Sequence, residues 1–385
     1  MPSSALSHLE CSRCGATHDA DVAQHLCSCG GPLLARYDFA RAARTLTREA
    51  LEERPDGLLR WVELLPLRDP AQAVTLGERE TPLVALERTG AALRIQNLIV
   101  KDESLLPTSS FKARGAAIGV SRARELGVGD VSLPTNGNAG SAWAAYAARA
   151  GIRARIVMSR EAPEIHRREC AIAGAEVHLV EGNIADAGRF SADLVALHGC
   201  YDASGFREPY RVEGKKTMGF EIARAMGGRL PDVIVYPTGG GVGLIGIHKA
   251  FAELKALGLI GAQVPRFVAV QSSGCAPIVR AWQTGADAAT PWERPHTIAY
   301  GINVPKALAD FLVLRVLYAS KGRAVAVPDS AIAAMIERVA RSDGYLLCPE
   351  GAATLVAAQE LRAAGWISAA DRVLAINTGS GLKYL

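Results

Sequence analysis

The chain is short of the features that mark several classes of protein. Aromatic residues make up only 6% of its 385 positions, and the 43 basic residues outnumber the 39 acidic ones by four. The two signs are interspersed, so no basic surface for nucleic acid or a membrane is expected. No stretch approaches the ~18 uninterrupted apolar residues of a membrane span. Low-complexity tracts, short repeats and proline- or serine-rich linkers are missing too. The opening Met1 to Glu10 lacks a cationic region followed by an apolar run, which makes the cytoplasm the expected compartment. With 49% apolar residues, a mainly disordered chain is excluded. What is present is length beyond the roughly 250–300 residues at which single cores stop growing, and 38 glycines that cluster where phosphate loops would lie. Two medium domains with backbone-lined anion sites follow as the expectation.

The eight cysteines form two populations. Cys11, Cys14, Cys27 and Cys29 stand as CSRCG and CSCGG within the first thirty residues. Close thiol pairs in a chain without an export signal read as a metal site before they read as disulfides. Four thiolates suit tetrahedral zinc, and the glycine after each pair lets amides turn toward the sulfurs. A small zinc ribbon is predicted, although the second pair has one intervening residue where a knuckle usually has two. The alternative is a metal-free ribbon of four reduced thiols. His18 and His25 are substitute ligands or surface polar residues. Cys170, Cys200, Cys275 and Cys348 lack ligand spacing and read as small buried side chains.

After the ribbon, an alanine- and arginine-rich segment from Asp38 to about Arg54 predicts a helix capped by Asp38 and ended by Pro55-Asp56-Gly57. From Thr81 short β-branched runs alternate with longer alanine-rich amphipathic segments. Strands are predicted at Leu93–Lys101, Val131–Thr135, Ala154–Ser159, Glu176–Val180, Val233–Pro237, Phe267–Gln271, Ala324–Val327 and Val373–Asn377. Helices are predicted to begin near Ser109, Asn138, Pro163, Asp186, Glu213, Gly243, Pro277, Ala307, Asp329 and Gly351. This alternation implies an α/β enzyme with largely parallel sheets covered by helices, its ligands at the carboxyl ends of strands.

Four motifs fall at such junctions. In Pro107-Thr108-Ser109-Ser110-Phe111-Lys112-Ala113-Arg114-Gly115 a lysine lies in the first turn of a helix, where the dipole favours a lowered amine pKa suited to a Schiff base. Alone, the segment reads first as a capped helix with a surface lysine. Thr135-Asn136-Gly137-Asn138-Ala139-Gly140-Ser141 follows a strand. Its amides and hydroxyl can hold a carboxylate, and an asparagine can donate to a phenolate; a polar capping turn is the alternative, and by itself the loop fits both equally. Pro237-Thr238-Gly239-Gly240-Gly241-Val242-Gly243 places four glycines in five positions between a strand and a helix, so that amides converge on a phosphate. It lacks the Gly-Lys-Ser/Thr of a Walker loop and fits the dinucleotide fingerprint poorly. Asn377-Thr378-Gly379-Ser380-Gly381-Leu382-Lys383 closes the chain with a hydroxyl able to face a pyridine nitrogen, which predicts a packed tail.

In this order the motifs resemble those of the pyridoxal phosphate enzymes with the tryptophan synthase β-subunit fold (fold type II), threonine synthases above all. The resemblance covers most of the chain. It implies two open, mostly parallel sheets covered by helices, with a zinc-ribbon-like segment at 1–38, a larger cofactor-binding domain at 39–110 and 215–385, and a smaller mobile domain at 111–214. It implies that Lys112 forms the Schiff base and shuttles the α-proton, and that Asn138 binds the phenolic oxygen. Gly239, Gly240, Gly241, Val242 and Gly243 would cradle the phosphate, and Thr378 would face the ring nitrogen. Thr135, Asn136, Gly137 and Ala139 would hold the carboxylate of an amino-acid substrate. A lyase of amino-acid biosynthesis, assembled as a homodimer, is the implied protein.

Two departures bear on the substrate. Threonine synthases usually read Ser-Phe-Lys-Asp-Arg-Gly, whereas Ala113 follows Lys112 here, as in many threonine and serine dehydratases; and Ala139-Gly140 stand where threonine or serine is common. Conversion of O-phospho-L-homoserine requires a second anion site, for which Lys101, Arg114, Arg160, Arg207, Arg211 and Lys215 are candidates. The alternatives are a threonine/serine ammonia-lyase, a related β-replacement enzyme, or a silent cofactor-binding protein whose ribbon docks a partner. Glu350, at an expected helix start, approaches the cofactor ring or serves only the helix dipole.

Overall fold

The computed structural model describes residues 3–385; the first two positions of the opening segment, read above for an export signal, lie outside the described residues. The strands are β1 (Leu6–Cys11), β2 (Thr17–His18), β3 (Leu33–Tyr37), β4 (Leu83–Ala85), β5 (Asn97–Asp102), β6 (Asp130–Thr135), β7 (Arg153–Ser159), β8 (Glu176–Val180), β9 (Tyr201–Asp202), β10 (Val233–Pro237), β11 (Arg266–Ser272), β12 (Arg323–Val327) and β13 (Arg372–Asn377). The helices are α1 (Phe39–Ala42), α2 (Arg48–Glu53), α3 (Glu87–Leu93), α4 (Lys112–Glu125), α5 (Asn138–Ala150), α6 (Glu164–Ile172), α7 (Ile184–His198), α8 (Arg211–Ala225), α9 (Val242–Ala256), α10 (Pro277–Gln283), α11 (Asp310–Ala319), α12 (Asp329–Asp343) and α13 (Pro349–Ala363). They form two compact units. Among the described residues, one comprises 3–80, Lys112–Phe220 and Gly246–Leu259; the other comprises Thr81–Phe111, Glu221–Ile245 and Ile260–Leu385.

The first unit holds two sheets. The antiparallel ribbon runs β2-β1-β3, with Leu9 opposite Ala35 and Cys11 opposite Leu33. The second sheet is parallel in the order β8-β7-β6-β9. Apart from its first residue, β7 is buried along its length, the pattern of a strand covered on both faces. Helix α7 packs on it through Ala187 and Leu194 against Val157.

The second unit is built on a six-stranded sheet in the order β12-β11-β10-β13-β5-β4, parallel except for the β4 edge. Its central strand β10 is buried at every residue. The core on this sheet includes Val235, Val268, Val373, Leu355 and Ile332, all within 1% of full burial, and each such side chain contributes about 1.5–3 kcal/mol on leaving water.

The predicted α/β class and mostly parallel sheets are what the structure has. Three local expectations need correction. The single helix over residues 38–54 is two, because Thr47 takes up a second N-cap by accepting from Ala50 N–H at 3.2 Å; the Asp38 cap is present, accepting from Arg41 N–H at 3.0 Å. The strand expected from Leu93 begins at Asn97, since Leu93 ends α3 and Arg94 reverses the chain at φ 58°. The helix expected near Ser109 starts at Lys112, because Thr108 and Ser109 adopt left-handed φ values of 59° and 51°.

Candidate active site

In the first unit the four amino-terminal cysteines meet, their sulfurs all within 4.8 Å of one another. Sγ separations are 3.4 Å for Cys11–Cys29, 3.5 Å for Cys14–Cys29 and 3.6 Å for Cys14–Cys27. A tetrahedron of about 2.3 Å Zn–S bonds has edges of about 3.8 Å, so the cage has the size for that ion. The backbone N–H of Cys29 holds the Cys27 thiol down to about 5, which favours the thiolate a metal needs. Gly31 is required here, because a Cβ would stand 2.6 Å from Cys11 Sγ. Among the described residues neither His18 nor His25 adds a ligand atom to the four sulfurs, although the His18 side chain hydrogen-bonds the Cys27 thiol.

Lys112 is the first residue of α4 and half-buried. The asparagine loop carries the chain from β6 into α5, and Asn138 is the first residue of that helix. Thr135 Oγ1 accepts from Gly137 N–H at 2.9 Å and Gly140 N–H at 3.1 Å, which folds the loop around the threonine. Gly137 lies at φ 147°, and a Cβ on it would strike the ring of His166. Nothing in the sequence pointed to His166, since it sits some thirty residues on in a different helix.

In the second unit, the strained pair Thr108–Ser109 precedes Ser110 and Phe111. Non-glycine residues in this region cost on the order of 1–3 kcal/mol each and persist where the surroundings enforce them. Here the carboxyl-terminal tail does so. Ser380 N–H donates to Ser109 O and Phe111 N–H to Thr378 O, both at 2.9 Å, and Lys383 Nζ donates to Thr108 O at 2.8 Å. The predicted packed tail is therefore real. Thr378 is 7% exposed, with its Oγ1 3.7 Å from Cys348 Sγ. Cys348 also meets Asn377 Oδ1 at 3.2 Å through Sγ, and Asn377 Nδ2 donates to Asp102 at 2.8 Å. Cys348 is buried, as expected of a small inert side chain, and its sulfur joins this polar cluster.

The glycine loop follows β10 in the same unit. A Cβ on Gly239 would meet Gly301 O at 2.7 Å, and one on Gly241, at φ 76°, would meet Val313 at 2.2 Å. Gly240 faces open space. Walls press the loop from behind while its amides, at the start of α9, lack intrahelical partners. This is a cradle open to an anion at one glycine, and it fits the phosphate of pyridoxal phosphate. Ser110 Oγ and Tyr236 OH are buried without a hydrogen-bond partner among the described residues, as polar groups awaiting a ligand would be.

Most candidate cations for a second anion already have carboxylate or hydroxyl partners. Lys101 is buried and donates to Glu221 at 2.8 Å and Thr81 Oγ1 at 2.6 Å. Arg114 donates to Thr217 Oγ1 at 2.8 Å, Arg160 pairs with Glu181 at 2.7 Å, Arg207 with Asp202 at 3.5 Å and Arg211 with Glu208 at 3.6 Å. Lys215 packs against Gly115 on α4. Glu350 is buried in the first turn of α13 and accepts from Gly301 N–H at 2.7 Å, so it braces the segment behind Gly239. A cavity of about 1040 Å³ in the first unit, bordered by Arg54, Arg60, Glu78 and Ile118, is lined by none of the predicted site residues.

Comparison with known proteins bears on the family and the fold. The family described as pyridoxal-phosphate dependent enzyme matches residues 74–379. Threonine synthase of Methanocaldococcus jannaschii is 33% identical over 97% of this chain and 92% of its own length. That of Methanosarcina acetivorans is 34% identical over 98% and 92%. Among solved structures, maize serine racemase superposes with a TM-score of 0.68 at 21% identity, covering 79% of this chain and 88% of that one, which shows a shared fold. No helix among the described residues is long and apolar enough to cross a membrane. The chain belongs to the pyridoxal-phosphate-dependent enzymes, within the family of the threonine synthases.

Proposed function

We propose that the protein is a threonine synthase, converting O-phospho-L-homoserine and water to L-threonine and phosphate. The observation that carries this reading is the match to threonine synthases over nearly the whole of both chains. The bound cofactor supplies an electron sink that stabilises negative charge at the substrate's Cα. Lys112 would hold it covalently through Nζ in the resting enzyme and, once displaced there by the substrate's amine, would take and return the Cα proton at that freed nitrogen. Asn138 would donate its amide to the phenolic oxygen, Gly239 to Gly243 would receive the phosphate, and Thr378 would offer its hydroxyl to the ring nitrogen. Thr135, Asn136, Gly137 and Ala139 orient the substrate carboxylate. The sulfur cage of Cys11, Cys14, Cys27 and Cys29 holds a structural Zn2+, and the working form is a cytoplasmic homodimer.

A second reading, a threonine/serine ammonia-lyase, is favoured by Ala113, a fully buried apolar residue beside Lys112, and by the prior engagement of most candidate phosphate-binding cations. The test is to record the visible spectrum of the purified protein, add O-phospho-L-homoserine, L-threonine and L-serine in turn, and assay phosphate, threonine and keto acid. Phosphate and threonine formed together, from the first alone, support the synthase. Keto acid from the hydroxyamino acids without phosphate moves the assignment to the lyase.

A further inference from the structure

We propose that His166 is a positioning residue for the loop that receives the substrate carboxylate, setting how tightly the amino acid binds. The inference rests on the assignment of Thr135, Asn136, Gly137 and Ala139 to that carboxylate. His166 lies in the first turn of α6 and is 1% exposed. Its ring lies directly beneath the turn of the loop: a Cβ on Gly137 would fall 2.3 Å from Cδ2 and 2.7 Å from Nε2. Gly137, at φ 147° and ψ −98°, uses a conformation that side chains rarely adopt, and the imidazole fills the space a side chain would take.

The same ring reaches the far end of the loop. Its Nδ1 is 3.3 Å from Ser141 Oγ and 3.2 Å from Glu169 Oε2. Ser141 stands in the first turn of α5, three residues after Asn138. One buried side chain thus holds the loop at two points, by contact under Gly137 and by hydrogen bonding at Ser141, while Thr135 gathers the Gly137 and Gly140 amides from within. Donors aimed at a carboxylate work only when fixed before the ligand arrives. His166 supplies that fixation without touching the substrate.

Two substitutions separate the two contacts. His166→Leu fills the space but cannot bond Ser141, and His166→Asn keeps a polar atom near the Nδ1 position but vacates the space under Gly137. For the holoenzyme we expect KM for O-phospho-L-homoserine to rise roughly tenfold in His166→Leu, the scale of one lost buried hydrogen bond, with kcat changed less than about threefold. His166→Asn should recover part of that loss. Spectral titration with O-phospho-L-homoserine should show the same ordering of Kd, at unchanged affinity for pyridoxal phosphate. In the cofactor-free protein, hydrogen–deuterium exchange across 135–141 should quicken in both variants.

Wild-type Kd and KM in both variants would overturn the proposal. So would equal loss of cofactor and substrate binding, which marks a merely structural residue. Should His166→Leu fail to fold, Ser141→Ala carries the test with the same direction expected in KM. If the wild-type holoenzyme answers O-phospho-L-homoserine, L-threonine and L-serine with no spectral change at all, the functional reading fails first and takes this inference with it.

Discussion

The loops after β6 and β10 do the same topological job, each leading a parallel strand into a helix, and they are built from opposite resources. The first is organised by side chains: Thr135 binds two of its amides, and His166 fills the space beneath Gly137. The second is organised by their absence, since Gly239 and Gly241 have no room for a Cβ and Gly240 has nothing in front of it. An anion met by backbone amides alone needs little discrimination, which suits a phosphate common to every turnover. A loop held by side chains can be adjusted residue by residue, which suits a substrate. On the proposed assignment, the difference places specificity in the asparagine loop and its supports.

The largest expected effect tests Lys112, the residue proposed to carry the cofactor. Lys112→Ala should lower activity by on the order of 10⁴ or more and abolish the visible band of the lysine-bound cofactor. Phosphate-anchored cofactor should still be retained through dialysis, and its complete loss would show that the glycine loop contributes little. Next come the glycines themselves. Gly241→Ala combines a left-handed φ with a clash against Val313 and should destabilise by roughly 2–4 kcal/mol, read as a lower urea midpoint. Gly240→Ala should leave that midpoint unchanged while weakening pyridoxal phosphate about tenfold, the scale of one charge-assisted hydrogen bond. Wild-type affinity in Gly240→Ala would remove the contrast between the loops. A smaller effect is expected at the sulfur cage. Cys14→Ser should cut bound zinc from one ion per chain, by atomic absorption, and lower Tm by roughly 5 °C, with the glycine loop's affinity untouched.

Much of this architecture was legible in the sequence because its signals are local. The run Val233 to Pro237 reads as a buried strand and is one, and the glycines after it announce their turn. The cysteine pairs foretold a cluster that the ribbon closes. What stayed hidden depends on partners distant in the chain. Thr108 and Ser109 take left-handed conformations because the tail around Ser380 and Lys383 holds them there. The hydrogen-bond partners of the buried Cys348, Asn377 and Thr378, lie some thirty residues on. His166 showed no motif of its own; the one clue was that Gly137 demands a neighbour with volume, and a glycine does not say which. The break at Thr47 was missed because the alanine-rich composition outweighed a single cap signal.

The smallest effect asks whether the side-chain-built unit extends its dependence to the amino-terminal segment. Asp21 bonds Arg68 through two oxygens at 2.8–2.9 Å and Arg122 of α4 at 2.5 Å. Hydrogen bonding from Arg68, then from Arg122, holds its carboxyl down to about 2. The folded value lies below the unfolded one of about 3.9, so the contribution is fully present above that pH and is lost as pH falls toward 2. Because the side chain is half exposed, solvent screening keeps the contribution under about 1 kcal/mol. Asp21→Asn should therefore unfold at a slightly lower urea concentration than wild type at pH 7, and the gap should shrink as pH falls from about 4 through 2. A gap undiminished at pH 2 would mean that Asp21 acts through packing, and that the amino-terminal segment is held to α4 by shape and not by charge.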